Sequence, residues 1–262
     1  MSEETRCDGR AVLVTGSTRG LGLRMTQHLA DLGYFVYAGA RSDDDIERLD
    51  AMPNVSALRI DVTDEAQIAD AAARVESEGR GLYGLVNNAG IAVVAPLMET
   101  SPGDFHAIMQ TNVYGPYRML RAFAPLLIAE QGRIVSISSV AGFTSFPGFG
   151  AYSASKHALE SLTDTLAVEM KSQGVHVTVV EPGNYAVEFG GGDPLDVARA
   201  VAQALSEQPP KRRYLVVPHE DQAETTLRHV IGELLQLNQR HRFSRPVADL
   251  VAMLQKQARR FH

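Results

Sequence analysis

The feature that most constrains the fold is a regular alternation between short apolar segments and longer stretches with helical periodicity. Each of seven segments is apolar along nearly its whole length, which is typical of strands that are buried on both faces. These segments are Ala11–Thr15, Tyr34–Ala38, Val55–Val62, Leu82–Asn87, Gly132–Ser138, Val175–Val180 and Tyr214–Val217. Because helical patterns separate the strands, the sequence predicts an α/β fold built on one doubly wound parallel sheet of about seven strands.

Length and composition limit the classes of function. A chain of 262 residues fits one large domain, and 45% apolar residues can form a substantial core. The net charge of −6 argues against nucleic-acid binding, which needs clusters of Lys and Arg. Cys7 is the single cysteine, the N-terminus has no apolar signal region, and no apolar run is long enough to span a bilayer. We therefore expect a cytoplasmic protein without membrane insertion.

Helical patterns continue beyond the last predicted strand. Gln222–Leu237 and Pro246–Arg259 both show helical periodicity, so residues 219–262 are predicted to form a helical C-terminal extension. This extension could be an added subdomain or a dimer surface, and the pattern does not distinguish the two. Residues 1–9 are predicted to be a flexible N-terminus, and the whole chain, 1–262, is assigned to a single domain.

A glycine-rich turn follows the first strand, where α/β proteins often bind phosphates. The segment Thr15–Gly22 reads TGSTRGLG, with glycines at 16, 20 and 22. Glycine permits a tight turn and lets the backbone approach a pyrophosphate, while the following helix N-terminus offers free N–H groups. The spacing differs from the G-x-G-x-x-G fingerprint, so this turn alone could also be an ordinary strand–helix connection.

The end of the second strand indicates which dinucleotide would bind. NAD sites usually place Asp or Glu here to accept hydrogen bonds from the ribose, but this chain has Ala40 followed by Arg41. Arg41 and Arg19 could together hold a 2′-phosphate, which favours NADP(H) as the cofactor. Asp43–Asp45 count against this choice because they repel a phosphate, although they could face solvent. Arg41 could also be an ordinary surface residue, and NAD(H) stays possible.

Polar and small residues also end the third and fourth strands, where a parallel sheet places its ligand crevice. Asp61 and Val62 end the third strand, and a carboxylate there could accept a hydrogen bond from an adenine amino group. The sequence NNAG, Asn87–Gly90, ends the fourth strand. Either segment could instead be a simple Asx turn.

Four further residues follow in order and complete a set of motifs. Asn112 lies in TNVYGP, Ser139 ends the fifth strand, and Tyr152 and Lys156 form YSASK at the start of a long helix. Together with TGxxxGxG and NNAG, these motifs resemble the short-chain dehydrogenase/reductase family over about residues 10–185. YxxxK alone is weak evidence, whereas the complete set in family order is strong.

The resemblance implies a Rossmann-like fold, a homodimer or homotetramer, and hydride transfer between a nicotinamide and a carbonyl compound or secondary alcohol. It also implies that Asn112, Ser139, Tyr152 and Lys156 are catalytic, with Ser139 preferred to its neighbour Ser138. The residues predicted to bind the cofactor are Gly16, Ser17, Thr18, Arg19, Gly20, Leu21, Gly22, Arg41, Asp61, Val62, Asn88, Ala89, Gly90, Tyr152, Lys156, Pro182 and Gly183. No metal ligand is predicted.

The chemistry of the Tyr–Lys pair follows from the residues themselves. Tyr152 and Lys156 are four positions apart and therefore share one face of a helix. A free phenol has a pKa of about 10 and is a poor acid–base catalyst at neutral pH. A nearby ammonium and an oxidised nicotinamide should lower this pKa, so that Tyr152 exchanges a proton with the substrate oxygen while Ser139 hydrogen-bonds that oxygen. The alternative is an ordinary buried tyrosine beside a snorkelling lysine.

Asn112 lies inside an otherwise helical segment, Asp104–Glu130, four residues before Pro116. Proline has no N–H, so the carbonyl of Asn112 would lose its helical partner and a local kink is predicted. The family resemblance implies a water at this point that links Asn112 to Lys156 in a proton relay.

The segment after the sixth strand departs from the family pattern. Pro182 and Gly183 are expected to line the nicotinamide pocket. Many family members carry Thr or Ser four residues after this glycine to bind the carboxamide, whereas this chain has Val187. Carboxamide recognition would then need backbone groups or another side chain, such as that of Asn184.

The substrate lid, assigned to residues 184–205, is unusually short. Family members insert a mobile helical segment here, but Asp193–Leu205 already has the pattern of the helix that follows the lid. Two explanations are open: a short lid over an open site, suited to a bulky substrate, or a segment missing between Tyr185 and Gly192. An intact mass well above 28.4 kDa would support the second explanation.

The candidates for the substrate pocket are apolar and indicate an apolar or aromatic carbonyl compound. They are Val93, Val94, Phe146, Phe149, Tyr185 and Phe189. His157 would point away from the catalytic helix face and is predicted to lie at the surface. Two other functions stay open: an NAD-dependent alcohol dehydrogenase on the same fold, and a non-catalytic dinucleotide-sensing protein, which would be expected to have a broken catalytic set.

Overall fold

The computed structural model describes residues 9–185 and 191–259, and these residues form one sheet of seven parallel strands. The strands are β1 (Ala11–Val14), β2 (Phe35–Ala40), β3 (Val55–Arg59), β4 (Gly84–Asn87), β5 (Arg133–Ile137), β6 (His176–Pro182) and β7 (Arg213–Val216). Their order in the sheet is β3-β2-β1-β4-β5-β6-β7. The order reverses between β1 and β4, so the predicted Rossmann-like, doubly wound sheet is confirmed.

Helices follow the strands and cover both faces of the sheet. In the described part of the chain they are α1 (Gly20–Asp31), α2 (Asp43–Asp50), α3 (Glu65–Ser77), α4 (Pro102–Met109), α5 (Gly115–Ala129), α6 (Gly150–Glu169), α7 (Pro194–Ser206), α8 (Glu220–Leu237) and α9 (Val247–Ala258). The two C-terminal helices agree with the helical patterns predicted beyond β7.

Two apolar layers hold the sheet between the helices, because alternate residues of each strand face opposite sides. Val12 of β1 belongs to the layer that contains Met25 of α1 and Val201 of α7. Leu13 belongs to the opposite layer, which contains Phe123 of α5 and residues of α3. All five side chains are fully buried. The sheet is therefore rigidly covered on both faces, and only the ends of its strands are left open to a ligand.

Two helix starts show how local side chains fix the ends of helices. The Asp64 carboxylate caps α3, since it accepts hydrogen bonds from the N–H groups of Ala66 and Gln67 at 2.9 and 3.2 Å. Helix α2 was not predicted, because it is mostly charged and buries a single apolar side chain, Leu49. Its acidic first turn suits a helix N-terminus, where negative charge is stabilised by the helix dipole.

A π-helical turn over Gln110–Tyr114 separates α4 from α5. The N–H of Gly115 donates to the carbonyl of Gln110, five residues earlier, in place of the usual bond to the residue four positions back. This distortion confirms the kink that Pro116 predicts around Asn112. Such turns are rare and are frequently found at functional sites.

Some predictions concern positions outside the described residues. These are the flexible N-terminus up to residue 8, and Val187 and Phe189 in the predicted lid. Within residues 9–185 and 191–259, no helix has both the length and the apolar character that crossing a membrane would require.

Candidate functional site

A cleft of about 1550 Å³ lies across the carboxyl ends of the strands. Its walls come from the segments at the carboxyl ends of β1 to β6, together with the first two turns of α8. Sixteen of the seventeen predicted cofactor residues line this cleft, and Ser17 does not. The carboxyl ends of parallel strands therefore meet at one concave surface, as the fold requires of a ligand site.

The glycine turn forms one end of the cleft, and either backbone conformation or close packing favours glycine at each of its three glycine positions. Gly16 and Gly20 have φ angles of +69° and +52°, which favour glycine. A Cβ at Gly22 would lie 1.9 Å from the carbonyl oxygen of Gly16. Helix α1 begins behind this turn with no side chain capping its N-terminus. Its first N–H groups and its dipole are therefore available to an anionic ligand such as a pyrophosphate.

Hydrogen bonds join the glycine turn to the NNAG segment. The Asn88 amide donates to the carbonyls of Thr15 and Gly16 at 2.8 and 3.2 Å. The Thr15 hydroxyl accepts from the N–H groups of Asn88 and Ala89 at 2.9 and 3.0 Å. Ser17 takes part differently, because its hydroxyl donates to the carbonyl of Val14 at 2.8 Å and so faces the strand rather than the cleft. The two segments thus form one preorganised wall.

Arg41 and Arg19 both line the cleft beyond the ends of β1 and β2. The Arg41 guanidinium is 3.8 Å from the carboxylate of Asp61, and its side chain is 76% exposed. Burial opposes ionisation of Asp61, but hydrogen bonds from Thr63 and the charge of Arg41 outweigh it and hold the pKa of Asp61 below its usual value. An exposed guanidinium therefore lines the cleft just beyond the end of β2.

The acidic residues that weaken the case for a phosphate have cationic partners of their own. Asp43 forms an ion pair with Arg59. The carboxylate of Asp45 accepts a hydrogen bond from Arg48 at 2.6 Å. Both acids lie in the first turn of α2, and none of Asp43, Asp44 and Asp45 lines the cleft.

Tyr152, Ser139 and Lys156 come together at the other end of the cleft. Ser139 follows β5, whereas Tyr152 and Lys156 lie one turn apart near the start of α6. The Lys156 ammonium lies 5.5 Å from the centroid of the Tyr152 ring and donates to the carbonyl of Ile137 at 2.8 Å. The Ser139 hydroxyl accepts from the N–H of Ala141 at 3.1 Å and is close enough to Tyr152 to lower the pKa of its phenol. One anchored cation, one phenol and one hydroxyl therefore surround a single point of the cleft.

The protonation of this cluster differs in part from the expectation. Burial raises the pKa of Tyr152, and the nearby Ser139 hydroxyl only partly offsets that effect. Burial lowers the pKa of Lys156 to about 8, although the negative charge of Glu160 opposes the change. The protein's own groups thus keep Tyr152 as a neutral phenol, because burial outweighs the effect of Ser139 that lowers its pKa.

Asn112 is buried beside the cleft but does not line it. Its amide oxygen accepts from the N–H of Ile91 at 2.9 Å, and its amide nitrogen donates to the carbonyl of Ile91 at 2.9 Å and to the hydroxyl of Ser155 at 3.0 Å. The side chain therefore ties the NNAG loop to α6. Because the side-chain amide is occupied by these bonds, Asn112 could take part in a proton relay only through its backbone carbonyl.

The substrate end of the cleft is mainly apolar. Of the predicted pocket residues, Val94, Phe146, Phe149 and Tyr185 line it, and Val93 does not. Sequence reasoning missed four polar residues of α8 that also line the cleft: Asp221, Gln222, Thr225 and Thr226. These residues reach the cleft only because the chain turns back towards it after β7. No sequence motif marks that turn. His157 is exposed and hydrogen-bonds the carbonyl of Ser153, so its predicted surface position is confirmed.

A network of charged residues that sequence reasoning also missed lies behind Lys156. The Arg213 guanidinium donates to the buried carboxylates of Glu160 and Glu181, at 2.5 Å each, and to exposed Asp164 at 2.7 Å. Tyr152, Lys156, Glu160 and Asp164 recur every four residues, so they share one face of α6. This spacing was readable in the sequence, but their shared partner on β7 was not.

Comparison with known proteins agrees with this geometry. The profile of the short chain dehydrogenase family matches residues 10–192. The uncharacterised oxidoreductase YbbO of Escherichia coli is 36% identical over 182 residues, which cover 69% of this chain and 67% of that protein.

Solved structures of similar fold include a short-chain dehydrogenase from Streptomyces avermitilis. It has a TM-score of 0.82 and 30% identity, and the match covers 88% of this chain and 95% of that one. A metagenomic short-chain oxidoreductase in complex with NADP has a TM-score of 0.74 and 31% identity, with 82% of this chain and 99% of that chain covered.

Proposed function

Because the chain belongs to the short-chain dehydrogenase family and is an oxidoreductase of that type, we propose that it interconverts a carbonyl compound and a secondary alcohol with NADP(H). The observation that supports this proposal is the cluster of Tyr152, Ser139 and Lys156 at one end of a cleft that begins at the glycine turn. Tyr152 is the proposed general acid and base.

The glycine turn suits the pyrophosphate of a dinucleotide. The uncapped N-terminus of α1 offers N–H donors, and the close approach at Gly22 keeps that space free of side chains. Pro182 ends β6 and Gly183 follows it at the opposite wall, and both would contact the nicotinamide. When bound, the nicotinamide supplies a hydride for reduction or accepts one in oxidation.

Side chains of the protein carry out the proton transfer that accompanies hydride transfer. In the reducing direction, Tyr152 donates its hydroxyl proton to the carbonyl oxygen, and burial keeps that proton in place beforehand. Ser139, which lines the cleft together with Tyr152, would hold the same oxygen in position. Lys156, anchored by the carbonyl of Ile137, stabilises the phenolate that forms after the transfer. In the oxidising direction these steps run in reverse.

A Tyr152→Phe variant tests this mechanism. Loss of the hydroxyl should lower kcat by roughly 10²–10⁴-fold, the usual contribution of general acid–base catalysis. Cofactor affinity, measured by quenching of NADPH fluorescence, should change little. Tyr117→Phe removes a hydroxyl from a tyrosine that is 47% exposed on α5 and serves as the matched control. Equal turnover of Tyr152→Phe and the wild type would favour the non-catalytic dinucleotide sensor instead.

NADP(H) is proposed over NAD(H) because of the charges around the end of β2. Arg41 and Arg19 line the cleft, while Asp43 and Asp45, which do not line it, form ion pairs with Arg59 and Arg48. The metagenomic relative of similar fold was solved with NADP, which supports the same choice.

Arg41→Ala separates the two cofactors. A hydrogen bond to a charged group contributes about 1.5–3 kcal/mol, so KM for NADPH should rise at least about tenfold. The KM for NADH should stay nearly constant, since NADH has no 2′-phosphate. Arg199→Ala, which removes an arginine that is 58% exposed on α7, is the control. An equal effect on both cofactors would instead support the NAD-dependent alternative.

The proposed substrate is a small, uncharged carbonyl compound or alcohol with an apolar or aromatic group. Among the described lining residues the cations are Arg19 and Arg41, at the adenosine end, and Lys156. Phe146 and Phe149 lie near the reacting end. A panel of aromatic ketones and matching keto acids, followed by NADPH absorbance, should show faster reduction of the ketones; preference for the acids would contradict this assignment.

The remaining parts of the proposal concern the whole molecule. One sheet runs through residues 11–216, which supports a single domain with a helical extension. The net charge of −6 argues against a nucleic-acid partner. A cytoplasmic homodimer or homotetramer stays our prediction, and its oligomeric state can be measured by light scattering.

A further inference from the structure

The helical extension exposes an unusual amount of apolar surface. Among the described residues, eleven of the 21 exposed large apolar side chains lie between positions 227 and 254. Six of them belong to α8: Leu227, Val230, Ile231, Leu234, Leu235 and Leu237. Monomeric proteins rarely expose a contiguous apolar patch of this kind, and such patches mark interaction sites.

These side chains form a stripe along α8. Their spacing of three, four and seven residues places Leu227, Ile231 and Leu234 on one face of the helix. Ile231 is 50% exposed and Leu227 is 56% exposed. Helix α9 repeats the pattern with Val247, Val251 and Leu254. Amphipathic helices owe most of their stability to burial of such a stripe, so a partner surface is expected.

Opposite charges flank the two ends of the α8 stripe. Glu220 and Asp221 lie in the first turn of α8, and Arg240, Arg242 and Arg245 follow its last turn. In the part of the chain that the structure describes, none of these five side chains takes part in an ion pair. The acidic end and the basic end are therefore both available to a partner that carries the reverse order of charges.

A second copy of this chain, with its α8 antiparallel to the first, places its basic end opposite the acidic end of the first helix and its acidic end opposite the basic end. We propose that α8 pairs with α8 of a second copy across a two-fold axis near Ile231, so that the two apolar stripes bury each other. The helix has 18 residues, or about 27 Å at 1.5 Å per residue. Glu220 lies seven residues before Leu227 and shares its face, so antiparallel pairing brings Glu220 of each copy towards Arg242 of the other. A two-fold interface of this kind is self-complementary and closed.

An anionic membrane fits this surface less well than a second copy. The polar residues that flank the start of the stripe are acidic, whereas helices that bind anionic lipid carry Lys and Arg there. A second copy satisfies both the acidic and the basic end. The association itself does not depend on the proposed function; only its expected effect on the cleft rests on that function.

The proposed interface is connected to the cleft because both involve α8. Gln222, Thr225 and Thr226 of α8 line the cleft, and the Gln222 side chain accepts a hydrogen bond from the N–H of Asn184 at 3.2 Å. Pairing of α8 would therefore hold one wall of the substrate end in place. Dissociation is expected to raise KM for the substrate more than it lowers kcat.

Reciprocal charge reversal tests the pairing. Glu220→Arg and Arg242→Glu should each weaken association at least tenfold, because each places like charges together in both copies. The double variant restores opposite charges and should recover association. Sedimentation equilibrium of the full chain measures the dissociation constant, and circular dichroism checks that each variant is folded. Both residues are exposed, so loss of the fold is not expected.

A second variant tests the apolar stripe. Ile231→Glu should weaken association at least tenfold, whereas Met98→Glu, at a side chain that is 95% exposed outside the extension, should not. The proposal is overturned if Ile231→Glu associates like the wild type, or if the double charge variant associates as weakly as the single ones. It is also overturned if the wild type stays monomeric at high concentration, whether or not it binds phosphatidylserine vesicles through α8.

Discussion

Glu181→Gln should change how the stability of this protein depends on pH. Glu181 lies near the end of β6, is 3% exposed, and accepts a hydrogen bond from Arg213. Burial and the nearby charge of Glu160 raise the pKa of Glu181 from 4.5 to about 7, even though Arg213 opposes them. The folded protein therefore holds this proton more tightly than the unfolded chain does.

The size and the sign of the effect follow from that difference. A shift from 4.5 to about 7 corresponds to roughly 3 kcal/mol, at 1.36 kcal/mol per pKa unit. Below pH 4.5 the group is protonated in both states and contributes nothing. As the pH rises towards 7, the unfolded chain gains from losing the proton and the free energy of unfolding falls. Above about pH 7 the group is ionised in both states, and the free energy of unfolding falls no further on its account.

The assay is thermal unfolding followed by far-UV circular dichroism, at fixed protein concentration, at about pH 5 and about pH 8.5. For a chain of this size, roughly 3 kcal/mol corresponds to about 6–12 °C in Tm. Between the two pH values, the Tm of the wild type should fall by about 6–12 °C more than the Tm of Glu181→Gln, since glutamine does not titrate. Comparing the two changes removes every pH effect that both proteins share.

Asp164→Asn is the matched control, because it removes an exposed carboxylate from the same guanidinium. The wild-type fall of Tm between the two pH values should persist in this variant. If Glu181→Gln shows the same fall as the wild type, the buried carboxylate does not control it, and the reasoning from burial is refuted.

Further predictions concern the glycine turn and the π-helical turn. Gly22→Ala should abolish NADPH binding in a fluorescence titration, because its Cβ would lie 1.9 Å from the carbonyl oxygen of Gly16; normal binding would contradict this. Gly232→Ala, in open space within α8, should instead stabilise the protein by up to about 1 kcal/mol in chemical denaturation. Pro116→Ala adds an N–H that can bond the carbonyl of Asn112, and it should slow proton transfer in stopped-flow measurements. Unchanged activity and helix geometry would refute that last prediction.

The fold was predictable because its signals are local and repeated. Apolar strand segments, helical periodicity and glycines at strand ends each act within a few residues, so their pattern survives without tertiary information. Helix α2 escaped prediction because its acidic first turn was interpreted only as charge near a phosphate site. Helix capping by Ser42, whose hydroxyl accepts from the N–H of Asp45, was the signal that could have revealed it.

The candidate site was predictable to the extent that motifs mark it. Ser139, Tyr152 and Lys156 meet as their order in the sequence indicates, because β5 and α6 are consecutive elements. The pKa of Tyr152 was not predictable, since it depends on how deeply the ring is buried. The side chain of Asn112 was also different from expectation, because its partners Ile91 and Ser155 come from two other segments.

The sequence by itself determined the parallel sheet, the glycine turn and the identity of the side chains proposed to react, because spacing along the chain carries that information. The tertiary structure alone decided which groups surround them. Arg213 reaches Glu160 and Glu181 only because β7 lies beside β6, and α8 lines the cleft only because the chain returns from β7 towards it. These contacts join residues that are far apart in sequence, and the burial of the charged groups depends on them. No local sequence pattern could therefore have shown the contacts or the buried charges.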